Sequence, residues 1–506
     1  MSNLIKTWRS GKLILIDFPW IDYHDAFLGR PSKMPRRVFM YNVAFHGQFG
    51  KSPFEKISKT FLDEPTLLFP KAMPAETIQL MFQKHDGLFG GKYFNTVFVL
   101  WAFLLQTLSD KKTRSCSTAV GRIAAFCFAT GKSLPDSDTG NYCRARARLS
   151  VDALHELVTL VAKNTETLAP TDWLWKNKHH AKLVDGFTAT MPDTEKNRAK
   201  FPQHGKQAEG CGFPIMRVCV VVSLATAMAV DAAFSEYKGK ETGESALLRK
   251  MLSSFQSGEI AVFDRYCCSY MMIALFQQVG VHVCTRINAK RIVDFRKGKR
   301  LGEYDRLIRW RRPQRPEWMN EDVYVTIPET ITLRMLQYSL VCRGRRSKTI
   351  TVVTTLVDPV AYPKEEIAEL YGHRWNVELD IRHIKQTLNI DHFRCKSPEM
   401  VEREFWVTLL GYNLVRKTLC ESASHVGVLP RRLSFTRTCA HLLELRLWML
   451  DGTVGLLGLL RYLGSLLVPE RPGRFEPRVL KRRRHRYPLM NEPREDLKHK
   501  QIRNLS

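Results

Sequence analysis

Hydrophobic and polar residues repeat with two different periods along this chain. From residue 76 to about residue 170 the apolar positions recur at helical spacing, and residues 96–108 and 117–130 are the strongest helix candidates. Beyond residue 181, short apolar runs rich in β-branched residues alternate with helical segments. The pattern therefore predicts a mostly helical N-terminal region followed by a unit that mixes strands and helices.

The second unit opens with several short strand candidates. Between residues 181 and 287 the predicted order is strand, strand, strand, helix, strand, helix, strand. The second and third strands, 215–224 and 227–237, are separated by too few residues for a crossover, so we expect them to pair antiparallel. Because strands and helices then alternate, the sequence predicts an α/β fold with a mixed sheet and flanking helices.

Residues 288–348 interrupt this alternation. They are rich in arginine and contain strand-like runs at 323–327 and 335–343, which predicts a β-rich insertion. A further strand at 349–357 and one long helix at 363–389 follow. We expect six segments: a helical basic N-terminal region that binds DNA ends (1–170), the first part of the α/β domain (171–287), a β-rich basic insertion (288–348), the completion of that domain (349–398), a helical C-terminal region (399–468) and a basic tail (469–506).

The charge of the chain indicates a polyanionic partner. There are 78 Lys and Arg against 50 Asp and Glu, a formal net charge of +28. A nucleic acid explains this charge better than an acidic membrane surface, because neither 96–108 nor 218–230 reaches the roughly 20 apolar residues of a spanning helix. With no secretory signal pattern at the N-terminus, we expect a cytoplasmic protein associated with the bacterial nucleoid. The 12 cysteines include no Cys-x-x-Cys pair, which argues against a structural zinc site.

Three acidic residues occupy positions that are typical of a metal-dependent site. Asp185 and Asp264 each end a short apolar strand candidate, and Glu378 lies on the long helix. Three carboxylates on adjacent elements can hold two Mg²⁺ ions about 3.5–4 Å apart, and Mn²⁺ can substitute. The alternative for either aspartate alone is a residue that caps a turn.

The long helix also places other polar side chains beside Glu378. At about 100° per residue, four side chains fall within an arc of about 60°: Tyr371, Arg374, Glu378 and Lys385. Arg374 and Lys385 can hold phosphate oxygens while Glu378 binds a metal ion, which suits phosphodiester chemistry. A solvated helix face with stabilising charge pairs is the alternative.

The spacing of these four residues resembles the Y-x2-R-x3-E-x6-K signature of the insertion-sequence-four family of DDE transposases. The segments around Asp185 and Asp264 are similar to the two aspartate segments of that family, and the resemblance covers about residues 170–400. It implies a ribonuclease-H-like fold with a β-rich insertion. It also implies that Asp185, Asp264 and Glu378 are the catalytic triad and the metal ligands.

The same resemblance implies a reaction and a partner. Members cut DNA at terminal inverted repeats and transfer the element into target DNA, acting as a homodimer on paired ends. The residues implied to contact DNA near the centre are Tyr371, Arg374, Lys385 and Arg265. Some members form a hairpin intermediate in which a tryptophan of the insertion handles an extruded base. Trp310 and Trp318 are the candidates here, with core packing as the alternative for each.

Two other functions are compatible with these residues. A nuclease of the same superfamily would cut DNA without strand transfer, and a catalytically inactive descendant would only occupy DNA. The presence of all three acids argues against inactivity. Residues 286–316 hold twelve Arg or Lys against three acids, which favours a surface that contacts phosphates over a solvated loop.

Overall fold

A computed structural model describes residues 12–13, 73–129, 133–340, 348–450, 455–469 and 490–503 of the chain. Most of the first 72 residues and part of the basic tail lie outside these ranges. The strands are β1 (Lys12–Leu13), β2 (Ala181–Thr190), β3 (Ile215–Ser223), β4 (Ala229–Glu236), β5 (Ile260–Phe263), β6 (His282–Arg286), β7 (Lys299–Gly302), β8 (Asp305–Arg311), β9 (Thr330–Leu340) and β10 (Lys348–Thr354).

Helices precede the sheet, connect its strands and follow it. They are α1 (Ala75–Lys84), α2 (Thr96–Leu108), α3 (Cys116–Ala129), α4 (Gly140–Ala147), α5 (Val151–Thr167), α6 (Glu195–Lys200), α7 (Glu244–Lys250), α8 (Tyr270–Gln278), α9 (Glu321–Thr326), α10 (Lys364–Gly372), α11 (Trp375–Arg382), α12 (Pro398–Val426), α13 (Phe435–Leu450), α14 (Leu456–Gly464) and α15 (Arg494–Arg503). Within the described ranges, none of them combines the length and the apolar character needed to cross a bilayer.

The sheet has the strand order β4-β3-β2-β5-β6-β10-β9-β8-β7, and β1 pairs with β9. Strands β2, β3 and β4 are antiparallel neighbours, as the short connection between the second and third predicted strands required. Strands β5 and β6 run parallel to β2. This order and these directions in the first five strands define a ribonuclease-H-like fold, so the predicted fold class is confirmed. All four side chains of β5 are buried, as expected for a central parallel strand covered on both faces.

The first predicted strand is longer than the sequence indicated. It was expected to end at Asp185, but β2 continues through Gly186 to Thr190 and stays paired with β3 over its whole length. The polar and glycine residues after Asp185 indicated that the strand ended there. Pairing with β3 instead supplies the backbone hydrogen bonds that keep this segment extended. Asp185 is therefore held inside a strand, whereas Asp264 follows directly after β5 as predicted.

The insertion extends the same sheet. Strands β9, β8 and β7 follow one another beyond β10, so the basic segment forms this edge of the sheet. The strand expected at 323–327 was wrong, because Glu321–Thr326 forms α9. Glu321 and Asp322 in its first turn complement the helix dipole. Val323 and Val325 are exposed, so their β-branched character reflects no buried strand. The six-segment division of the chain remains a prediction.

The helix expected at 363–389 is broken into three pieces. α10 ends at Gly372, α11 begins at Trp375, and His383–Thr387 forms a π-helical turn. Glycine is a poor helix former. At the break, the backbone N–H groups of Arg374 and Val377 bond three residues back, which is the tighter 3₁₀ pattern. The single straight helix assumed for the side-chain arc is therefore wrong.

Helix α12 joins the two helical regions to the sheet. Proline stands in its first turn, and Gly427 ends it in the left-handed conformation with φ of 69°. The fully buried Asn413 accepts from the Ala229 backbone N–H at 2.9 Å, and its amide donates to Val158 O at 3.1 Å and Ala229 O at 2.8 Å. One side chain thus ties α12 to α5 and to the outer strand β4.

We expect Asn413→Ala to lower the free energy of unfolding by about 2–4 kcal/mol, because it removes three buried hydrogen bonds and leaves a cavity. Chemical denaturation of the full chain measures this change. The control is Asn141→Ala at an exposed position, which should stay within about 0.5 kcal/mol of the parent. Equal stability of Asn413→Ala and the parent would contradict the linking role of this residue.

Candidate active site

The two aspartates lie side by side on neighbouring parallel strands. Val184 of β2 pairs with Phe263 of β5, so Asp185 and Asp264 are the next residues along adjacent strands. Strands in a sheet are about 4.8 Å apart, which brings the two carboxylates to the same point of the sheet. Asp185 Oδ1 accepts from the Gly186 N–H at 2.9 Å, and Asp264 Oδ1 accepts from the Arg265 N–H at 2.6 Å.

Arg374 joins the third acid to this pair. It stands between α10 and α11, and Glu378 follows one turn later in α11. The Nη2 of Arg374 donates to Glu378 Oε1 at 3.0 Å, and its Nη1 donates to Asp185 Oδ2 at 3.4 Å. The Arg374 side chain is only 7% exposed, so this contact is shielded from water. One guanidinium therefore holds the helix acid next to the strand acid.

Burial and neighbouring charges shift the ionisation of Asp185 at this centre. Desolvation raises the pKa of Asp185 to about 6, although the neighbouring Arg374 favours its ionised form. The carboxylates of Glu378 and Glu244 add to that rise by repulsion. Such a rise in the pKa of a carboxylate, whose ordinary value is near 4, is the expected effect of burial with incomplete compensation by positive charge. A cation that entered the centre would relieve this repulsion.

Glu244 is a further carboxylate of this centre, and the sequence analysis missed it. It opens α7, and a Cβ added to Gly186 would lie 2.4 Å from its carboxyl carbon. Burial raises the pKa of Glu244, and Asp264 raises it further. A glutamate in the first turn of a helix is ordinarily explained by the helix dipole, so Glu244 was not predicted to lie near the aspartates. The signal that was available is the glycine directly after Asp185, since glycine within a strand often marks a close approach.

The other residues of the predicted signature lie around these acids. Tyr371 is 3% exposed, and burial raises its pKa above the ordinary phenol value, with Arg374 and Asp264 among the charges that act on it. Its hydroxyl is therefore neutral. Lys385 lies in the π-helical turn with its Nζ 5.7 Å from the centre of the Phe187 ring, two residues beyond Asp185 along β2. Because alternate residues of a strand share a face, Lys385 lies over the face that carries Asp185.

The remaining predicted residues are less closely placed. Arg265 follows Asp264 and is exposed. The described residues form two hydrophobic cores, and Trp310 is 8% exposed within the smaller one. The Arg291 guanidinium stacks on its ring at 3.6 Å. Trp318 is partly buried against the same core, and the Arg249 guanidinium stacks on it at 3.7 Å. Of the two tryptophans, Trp318 is the one with exposed surface.

The donor set suits a hard divalent cation. Carboxylate oxygens are the preferred ligands of Mg²⁺ and Mn²⁺, and the acids of this centre supply only oxygen. In the described part of the chain, however, no three His, Cys, Asp or Glu side chains approach closely enough to share one ion. Arg374 explains this finding, because its guanidinium stands between the carboxylates of Asp185 and Glu378. The poorly compensated charge of Asp185 is the observation that fits a cation.

The acids of the site lie in a ribonuclease-H-like core. A family model described as a transposase DDE domain matches residues 176–414. Transposase InsG for insertion sequence element IS4 of Escherichia coli (strain K12) is 28% identical over 359 residues, 68% of this chain and 77% of that protein. Over residues 176–414 the chain is thus similar to transposase DDE domains, and over most of its length it is similar to a transposase of an insertion sequence.

A solved structure is also similar to this chain. It is a piggyBac transposase in a synaptic complex with hairpin DNA, with a TM-score of 0.40 and 11% identity. The match covers 83% of this chain and 86% of that one. The Tyr-Arg-Glu-Lys signature and the roles of its residues remain predictions.

The raised pKa of Asp185 leads to a pH-dependent stability. In metal-free protein, the protonated form is favoured in the folded state up to about pH 6, so this contribution to stability is lost as the pH rises from about 4 through 6. Asp185→Asn stays neutral throughout. Relative to the parent, we expect it to gain on the order of 2 kcal/mol between pH 4 and pH 7. Denaturation at several pH values in the presence of a chelator measures the difference.

Glu241→Gln is the matched control for a change of nearby charge, because Glu241 is exposed and paired with Arg249. It should leave the pH dependence unchanged. Glu244→Gln removes a repelling carboxylate and should lower the pKa of Asp185. A stability difference between parent and Asp185→Asn that is constant from pH 4 to pH 7 would show that Asp185 titrates normally.

Proposed function

We propose that this protein catalyses cut-and-paste transposition: metal-dependent cleavage at the terminal inverted repeats of an insertion sequence, followed by strand transfer into target DNA. Asp185, Asp264 and Glu378 are the catalytic carboxylates in this proposal. The observation that carries it is their convergence, with the two aspartates on paired strands and Glu378 joined to Asp185 through Arg374. A structural role would not require three partly buried acids so near one another.

The three carboxylates would hold two divalent ions, with Mg²⁺ as the natural cofactor and Mn²⁺ as a substitute. When bound, these ions activate water or a DNA 3′-hydroxyl and stabilise the leaving oxygen. The poorly compensated charge at Asp185 supports this assignment, because binding of a cation would remove the repulsion that raises its pKa. Glu244 lies within the same field and adds to the attraction.

Arg374 has two roles in this proposal. Without substrate, it pairs with Asp185 and Glu378 and keeps the acids together. Its Nε has no hydrogen-bond partner and is buried, so one donor of the guanidinium remains open for a phosphate oxygen. Tyr371 supplies a neutral hydroxyl behind it, and Lys385 supplies a cation farther along the same face of β2.

DNA would extend from the centre across the insertion. Arg265 is exposed next to Asp264, and cations of β7, β8 and their connections are also exposed: Lys297, Lys299, Arg300, Arg309 and Arg311. Such a row of cations suits contacts to the phosphate backbone of double-stranded DNA. Trp318, with exposed surface beside these strands, is the better candidate for handling an extruded base, because Trp310 would have to leave the core. We infer that the protein acts as a homodimer on two paired ends.

The test is cleavage of DNA that carries the terminal inverted repeat of the element. In Mg²⁺, Asp264→Ala should cut at least about 100-fold more slowly than the parent, since it loses a ligand of the charge-stabilising centre. Gel electrophoresis of end-labelled DNA measures the rate, and binding of the uncut DNA should persist. Asp294→Ala is the control, because Asp294 pairs with Arg296 in the insertion, away from the three acids in sequence and contact.

Strand transfer separates the proposal from its alternative. A target plasmid added to the reaction should receive the cut ends at their 3′-hydroxyls. Ends that are cut but never joined would favour a nuclease, and cleavage by Asp264→Ala at the parental rate would remove the proposed centre altogether.

A further inference from the structure

A second charged cavity lies away from the carboxylate centre. It has a volume of about 230 Å³ and is enclosed between α2, α4 and the residues that lead from the π-helical turn into α12. The space exceeds what a single water needs. The polar side chains that line it include Gln106, Arg114, Arg146, Arg394 and Glu404.

Arg146 enters this cavity without an anionic partner. It is 9% exposed, its Nη1 donates to Gln106 Oε1 at 3.2 Å, and its Nε has no hydrogen-bond partner. The ionisable groups that act on it are thiols and the hydroxyl of Tyr142. Burial raises the pKa of Tyr142 and of Cys395, so both are neutral near pH 7. The Arg146 guanidinium lies over the rings of Phe103 and Tyr142, at 4.6 and 5.5 Å from their centres, and among the described residues no carboxylate contacts it.

Arg114 presents a second open donor. It is 3% exposed, and its Nη1 donates to the carbonyl oxygen of Leu388 at 2.8 Å. Its Nη2 has no hydrogen-bond partner and lies 3.6 Å from Glu404 Oε1, beyond a good hydrogen bond. The other oxygen of Glu404 accepts from the backbone N–H groups of Arg394 and Cys395 at 2.9 and 3.0 Å. Glu404 therefore offers Arg114 only its Oε1, at 3.6 Å.

The cavity therefore carries three guanidinium groups against one carboxylate in the part of the chain that the structure describes. Arg146 has no carboxylate partner and Arg114 has one at 3.6 Å, and each keeps one buried N–H without an acceptor. Such an arrangement is unfavourable until an acceptor is supplied. Guanidinium groups match the oxygens of phosphate in charge and geometry. We propose that this cavity is a binding site for a phosphate group, with Arg146 and Arg114 as its ligands.

The position of the site gives the bound phosphate a structural consequence. Arg114 precedes α3 and Arg146 lies in α4, whereas the Leu388 carbonyl follows the π-helical turn that carries Lys385. A phosphate held by both arginines joins the N-terminal helices to the segment that ends the signature helix. Two sources share this chemistry: inorganic phosphate, and a backbone phosphate of bound DNA.

The test uses the full chain with a chelator present, so that the carboxylate centre holds no metal. Inorganic phosphate is titrated against the protein by calorimetry, and thermal unfolding is followed in phosphate and in chloride of equal ionic strength. We expect saturable binding and a higher unfolding temperature in phosphate. Arg146→Gln should weaken phosphate binding about ten-fold or more, because a charge-assisted hydrogen bond is lost.

Arg144→Gln is the matched control on the same helix. Arg144 is exposed and donates to Asn141, so its replacement should leave phosphate binding unchanged. Arg146→Gln should fold, since it removes a buried charge that no carboxylate of the described residues contacts. Should it fail to fold, Arg146→Lys keeps the charge, loses the Nε–H donor and carries the same test. Identical behaviour in phosphate and chloride, or equal phosphate binding by the parent and Arg146→Gln, would overturn the proposal.

A DNA duplex identifies the source of the phosphate. If a backbone phosphate fills the site, saturating duplex abolishes the phosphate titration, and Arg146→Gln reduces the salt dependence of DNA binding by about one phosphate contact. If inorganic phosphate is the ligand, the titration persists on the DNA complex and the salt dependence stays unchanged. Either result leaves the cavity as a phosphate site, and neither depends on whether the carboxylate centre is catalytic.

Discussion

The contact between Arg374 and two carboxylates is the interaction on which the active centre depends. Asp185 is fixed by the sheet, whereas Glu378 belongs to a helix that no backbone hydrogen bond joins to that strand. Like charges at such a point repel, and burial together with that repulsion raises the pKa of Asp185 although Arg374 lies beside it. A single buried guanidinium, bonded at 3.0 Å to one acid and at 3.4 Å to the other, holds the helix against the sheet. The break at Gly372 is what gives Arg374 this position.

Much of this architecture follows from local sequence patterns. The apolar run of β5 identified a buried strand, and the acid directly after it, Asp264, lies where that pattern placed it. The short connection between β3 and β4 fixed their antiparallel pairing. These features depend on residues near one another in the chain. They are therefore accessible to reasoning from periodicity and connection length.

The features that escaped prediction depend on tertiary contacts. Asp185 was expected at a strand end, because only pairing with β3 keeps the following Gly-Phe-Thr segment extended. The signature helix was expected to be straight, although Gly372 and the π-helical turn re-aim its two ends. Glu244 was missed because its significance comes from the approach of α7 to Gly186, two segments that are remote in sequence. These three errors concern where an element ends or what it approaches, whereas the strand expected at 323–327 was wrong in type, since Glu321–Thr326 is helical.

The acids of the candidate active site lie within a strongly basic chain. The chain carries a net charge of +28, yet the negative charges of Glu378 and Glu244 act on the partly buried Asp185. In the proposed function, DNA phosphates would meet the exposed Arg265 at the margin of this group of acids. Arg374 supplies positive charge to these acids, but its guanidinium is shared between Asp185 and Glu378. Because one guanidinium shared in this way cannot neutralise several carboxylates and a phosphate together, binding of metal ions and binding of DNA would favour one another in the proposed function.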